Sequence, residues 1–161
     1  MKKHFFAWMT IMMVAFVGIT AVACSKEDNS ENANAEIIGK WRREYKETIK
    51  YIKNGGAWKE ESRSSKSYPE GSSDGLIFKS DGTALMVDIS PDGHYFIEES
   101  DDFFYKVENG HLFLKENNPR DKDGWEDVAA IKISGSTMEL TEEEIEGDYK
   151  EVTFLRYKKL N

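Results

Sequence analysis

The sequence predicts an all-β domain, an antiparallel up-and-down barrel of about eight to ten short strands. Three observations point there. Turn-forming clusters recur after residue 37: Asn54-Gly55-Gly56, Ser80-Asp81-Gly82, Pro91-Asp92-Gly93, Glu108-Asn109-Gly110, Gly135-Ser136 and Glu146-Gly147-Asp148. The runs between them are short and rich in Val, Ile, Phe, Tyr and Thr. Trp125, Ala129, Ile131 and Ile133 share one parity, opposite Glu126 and Lys132, which is the period of a half-buried strand.

The chain begins with a different kind of segment. Lys2, Lys3 and His4 form a basic start, Phe5 to Thr20 is mainly apolar, and Ala21-Val22-Ala23 precedes Cys24. Positive, apolar and small-residue regions in that order describe a secretory signal over residues 1–23, cleaved between Ala23 and Cys24. An uncleaved anchor is the alternative. Ala-Val-Ala-Cys resembles a bacterial lipobox, with Ala21 where Leu is usual. The resemblance implies acylation of Cys24 (palmitate among the chains) and attachment to a membrane. Ser25-Lys26-Glu27-Asp28 resembles the Bacteroidetes export signal that places lipoproteins on the outer face of the outer membrane. On that likeness Lys26, Glu27 and Asp28 direct export; the alternative is a charged tether. Residues 24–36 are polar and acidic and read as the lipidated Cys followed by a flexible tether.

Residues 37–161 form the domain. Its expected strands are Gly39–Ile52, Ala57–Glu61, Leu76–Lys79, Thr83–Ile89, Tyr95–Glu99, Phe103–Val107, His111–Lys115, Trp125–Ile133, Thr137–Thr141 and Tyr149–Tyr157. Trp41, Tyr45 and Ile49 also fit helical spacing, but their Tyr, Thr and Ile surroundings favour a strand. Thr141-Glu142-Glu143-Glu144 is open to a capped helical turn. Ser62–Asp74, with six Ser, one Gly and a Pro, reads as a long mobile loop.

The domain's first strand opens with Gly39-Lys40-Trp41, its middle hairpin holds Phe78-Lys79-Ser80-Asp81-Gly82-Thr83, and it ends on Met138-Glu139-Leu140 and Val152-Thr153-Phe154-Leu155-Arg156. In that order these motifs resemble the lipocalin-like domain of many Bacteroidetes lipoproteins, across roughly Ile37 to Lys158. The resemblance implies a lipocalin-like barrel in which Trp41 closes one end beneath Arg156, a cation–π pair. A lipocalin-like barrel encloses one small ligand or is filled by its own side chains. Phe78, Leu85, Val87, Phe96 and Phe113 are the candidate lining of a ligand cavity.

Composition excludes other classes. The chain of 161 residues has 22 Lys+Arg against 30 Asp+Glu, net −8. Removing residues 1–23 takes away Lys2 and Lys3 and no acid, leaving −10. Such a chain is a poor nucleic-acid binder. A single Cys excludes a disulfide framework and, once acylated, thiol catalysis. His94 and His111 read as exposed strand ends, and no hydrolase, zincin or phosphate-loop motif is present. The chain is therefore expected to be non-enzymatic and to need no cofactor. Asp121 and Asp123, in an acidic turn before Trp125, are weak Ca²⁺ candidates; an EF-hand alignment puts Pro119 at the first ligand position, and a solvated loop is favoured. Glu142, Glu143, Glu144, Glu146 and Asp148 read as a solvated face. Trp58 and Trp125 suit sugar stacking or core packing. Two functions remain: a surface-tethered binder of a small hydrophobic molecule, or an interaction module whose outer face contacts glycans, host proteins or a membrane complex.

Overall fold

A computed structural model describes residues 30–69, 71–97, 102–117 and 124–161. Among the described residues, one helix, α1 (Ser30–Ile37), precedes ten strands: β1 (Gly39–Asn54), β2 (Ala57–Ser67), β3 (Ser73–Phe78), β4 (Thr83–Ile89), β5 (Tyr95–Phe96), β6 (Asp102–Glu108), β7 (His111–Glu116), β8 (Glu126–Ser134), β9 (Thr137–Glu146) and β10 (Tyr149–Leu160). Eight of them close an antiparallel barrel in the order β1-β3-β4-β6-β7-β8-β9-β10 and back to β1. β2 and β5 are side branches on β1 and β4.

The long first strand makes closure possible. One edge of β1 pairs with β10 from Lys40–Leu160 to Ile52–Tyr149. Its other edge pairs with β3 over Gly39–Arg42 and with β2 over Tyr45–Asn54. A bulge at Glu44 lies between these stretches, where the register to β10 slips between Arg43 and Tyr45. An extra residue inverts the facing of everything beyond it. Trp41 and Arg43 point inward before the bulge, and Lys46, Thr48 and Lys50 share the inner face after it, opposite Leu155, Thr153 and Glu151. The hairpin joining β6 to β7 turns at Asn109 and Gly110, whose φ values of 52° and 77° are what a tight two-residue hairpin demands.

α1 seals one end. Ile37 and Trp41 are wholly buried, and the Trp41 indole N–H donates to the Ile37 carbonyl at 2.6 Å. Asn34 clamps the helix to the barrel, accepting from the Val107 amide at 3.0 Å and donating to its carbonyl at 3.4 Å. The segment read as tether is thus helical from Ser30 and docked through Asn34 and Ile37. Its polar composition hides this, because Asn34 and the Glu36 carbonyl supply the docking bonds and one Ile the burial.

The core inside the barrel runs from Ile37 and Trp41 through Phe78, Phe103, Val107, Leu112, Met138 and Leu155. A second cluster, Ile77, Leu85, Val87 and Ile89 with Leu160, lies on the outer face of β3 and β4. Buried Arg42 belongs to that face; it donates to the Tyr68 and Gly71 carbonyls at 2.8 and 2.9 Å, tying the β2–β3 connection over the sheet.

Three readings of the sequence change here. Ser62–Asp74 is not one long loop: β2 continues to Ser67, paired with β1 to Tyr45, because backbone pairing does not require apolar side chains. Thr141–Glu144 continues strand β9 rather than starting a helical turn. Trp125 leaves the parity of Ala129 because the β7–β8 register slips between Leu112 and Phe113; its ring is exposed on the outer wall while Ala129 is buried inside.

Candidate functional site

The barrel interior is not filled. A cavity of about 750 Å³ lies between the sealed end and the opposite rim. Its inner part is apolar, bounded by Leu76, Phe78, Ala84, Met86, Phe103 and Leu114. Phe78 is held by an edge-to-face contact with Tyr105, centroids 4.8 Å apart, and the Tyr105 hydroxyl donates to the Lys79 carbonyl at 2.9 Å. That lining is therefore fixed by ring packing and by one satisfied polar group.

The wall formed by β9, β10 and β1 changes chemistry along its length. Paired residues on its inner face step from Leu140, Leu155 and Lys46, to Glu142, Thr153 and Thr48, to Glu144, Glu151 and Lys50. Glu142 is half-buried in this wall, and that burial pushes its carboxyl above the usual range; Lys46 and Arg43 pull it back, and Glu151 adds to the rise. Tyr157 is buried beside it, and burial raises its hydroxyl far above an ordinary phenol, so it is neutral throughout the physiological range. Thr153 is buried and its hydroxyl meets that of Thr48 at 3.3 Å. Arg43 is committed elsewhere: it pairs with Asp74 at 2.5 Å and stacks over Tyr68 at 4.7 Å. The cavity is thus an apolar chamber with a polar, ionisable upper wall that reaches solvent at exposed Glu144.

The sequence candidates distribute unevenly. Phe78 lines the cavity. Leu85 touches its edge but packs in the outer cluster with Val87, because Ala84 and Met86 are the inward residues of β4. Both faces of β4 are apolar, so its alternation does not reveal which one is inside. Phe96 is 74% exposed on side strand β5. Phe113 is on the outer wall, paired with outward Lys106, whose ammonium lies 5.1 Å from the Phe113 ring and 5.0 Å from that of Trp125. The pairing of Trp41 with Arg156 is also corrected. Register places Lys159, not Arg156, opposite Trp41, and its ammonium lies 5.1 Å over the indole and donates to the Glu36 carbonyl at 2.9 Å. Arg156 faces outward over Tyr45 at 5.6 Å, beside Glu139.

Glu142 is the residue misjudged most: the sequence treats it as one of five solvated acids, yet it lines the cavity. The signal was present in Met138-x-Leu140-x-Glu142, where a single parity carries two core residues directly into the acid. His111 makes an exposed contact with Asp127 at 3.0 Å. Ala23, Cys24, Lys26, Glu27, Asp28, Asp121 and Asp123 lie outside the described residues. Among the described residues, no group of three or more His, Cys, Asp or Glu side chains is placed to hold a metal ion, and no helix is long and apolar enough to cross a membrane.

The geometry gives a closed eight-stranded β-barrel compatible with ligand binding. Comparison with family models, curated proteins and solved structures returns no match.

Proposed function

We propose that this protein is a non-enzymatic, surface-exposed outer-membrane lipoprotein, related to the lipocalin-like domains it resembles, whose barrel binds a small, largely hydrophobic molecule. The observation that carries the binding reading is the cavity: about 750 Å³ sits within the roughly 300–1,000 Å³ typical of small-molecule pockets, and its inner lining is apolar. Displacement of a fluorescent apolar probe tests it. The native chain is expected to bind the probe, and Met86→Trp, which places a large ring in the cavity, to weaken binding about tenfold or more, since lost apolar contact of about 1.4 kcal/mol suffices. Equal probe binding by the two chains would reject the barrel interior as the site.

The lipoprotein reading rests on the Ala-Val-Ala-Cys junction and the Lys26-Glu27-Asp28 run. Several acyl chains at about 0.8 kcal/mol per buried CH₂ anchor a protein stably, whereas a single chain does not. Cys24→Ala is expected to move the protein from the membrane fraction to the soluble fraction. A Cys24→Ala chain with its signal cleaved and still in the membrane would overturn lipid anchoring.

A second reading has its own observation. Phe104 and Trp125 are about two-fifths exposed on the outer wall near Phe113, an aromatic surface suited to a glycan or protein partner. Phe104→Ala with Trp125→Ala leaves the cavity intact, so loss of a surface partner in that variant, with probe binding retained, would favour the interaction module.

A further inference from the structure

We infer that the cavity selects an amphipathic cation, an apolar body carrying an amine or other ammonium group, which lies between Glu142 and Glu144. This deepens the ligand-binding reading and rests on it. The apolar part of the cavity explains the body of such a molecule; the ionised groups of the upper wall decide the sign of its head.

Most of the ionised groups in and around the cavity are already matched. Lys150 holds Glu143 at 2.8 Å, Lys50 holds Glu151 at 3.4 Å, His111 meets Asp127 at 3.0 Å, and Arg43 holds Asp74 at 2.5 Å. Glu142 and Glu144 have no ion-pair partner among the described residues, and both line the cavity. They stand two apart on β9 and on the same inner face, about 6.5–7 Å along the strand, a span that one ammonium can bridge. Lys46 is the one lining cation outside those pairs, and it already favours ionised Glu142. A carboxylate ligand therefore finds one lysine facing two carboxylates, whereas an ammonium finds two carboxylates facing one lysine. Inside a partly dry barrel the difference is amplified, because charges are screened less than in water. The acidic chain as a whole also concentrates cations at its surface.

Burial adds a pH signature. The ionised form of Glu142 is the one that binds a cation, and burial holds its carboxyl above the usual range against the pull of Lys46 and Arg43 from β1 and with the push of Glu151 from β10. Protons therefore compete with the ligand at a higher pH than an ordinary carboxylate would allow. Cation affinity is expected to fall as pH drops through that raised range, and Glu142→Gln to remove this dependence.

The test is calorimetric titration of the native chain with three probes of equal length, decylammonium, decanol and decanoate, below their aggregation limits. Decylammonium is expected to bind about tenfold or more tighter than decanoate, with decanol between them. Glu142→Gln with Glu144→Gln should bring decylammonium down to the affinity of decanol while leaving decanol binding unchanged, which also certifies that the variant is folded. If decanoate binds best, or all three bind alike, the cationic inference is overturned and the apolar cavity stands. If none of the three binds, the cavity reading fails and this inference falls with it.

Discussion

Trp41→Ala is expected to be among the most damaging single substitutions in this chain, costing about 3–5 kcal/mol of folding stability, the usual range for emptying a fully buried Trp site. Three losses coincide there. The wholly buried indole leaves a large hole at the sealed end. The Ile37 carbonyl loses the N–H donor at 2.6 Å, and Lys159 loses the ring beneath its ammonium at 5.1 Å. Trp41→Phe separates the terms: it keeps most of the apolar volume and forfeits the hydrogen bond, so a loss nearer 1–2 kcal/mol is expected. Urea unfolding of the three chains measures both. A Trp41→Ala chain within 1 kcal/mol of native would mean that α1 and Trp41 do not hold the barrel base together.

Gly75→Ala is expected to destabilise by about 1–3 kcal/mol, the cost of overpacking, although only one methyl is added. Gly75 lies in β3 opposite Arg42 of β1 and Val87 of β4. A Cβ built there stands 2.8 Å from the Trp41 carbonyl oxygen and closer still to the Ile89 side chain. The side chain can yield, but the carbonyl belongs to the strand pairing that closes the barrel between β1 and β3. Ile89→Ala opens space on one side only. The double variant Gly75→Ala, Ile89→Ala should then cost less than the sum of the singles without returning to the level of Ile89→Ala alone. Full relief in the double variant would show that the backbone contact is not limiting.

The legible part of this fold was its punctuation. Turn residues locate the hairpins within a residue or two, and β4 runs over Thr83–Ile89 as expected. Three kinds of information were missing. The direction of facing is hidden wherever both faces of a strand are apolar, which is why the pattern of β4 points to Leu85 and Val87 as lining instead of Met86. Bulges add a residue that no periodicity announces: the slips at Glu44 and before Phe113 turn Lys46 inward and leave Trp125 outside. Cross-strand register is a long-range property, so nothing local in Trp41 or Arg156 says that Lys159 stands over the indole instead. Glu142 and Glu144 are hidden for a related reason, because five acids in seven residues suggest water, and only the alternation along β9 carries the inward parity of Met138 and Leu140 on to them.

The position of α1 has a consequence for traffic. The chain comes into the barrel at the end that Ile37 and Trp41 close, whereas Glu144 lies toward the hairpin at Gly147, at the other end of β9. In a chain held by acyl groups on Cys24, the six steps of backbone to Ser30 reach at most about 20 Å. On the proposed anchoring, the stopper would lie toward the lipid and the mouth toward the surroundings. If the proposed binding and surface exposure hold, a ligand would be gathered from the medium rather than drawn up from the bilayer, and released toward whatever lies opposite the membrane.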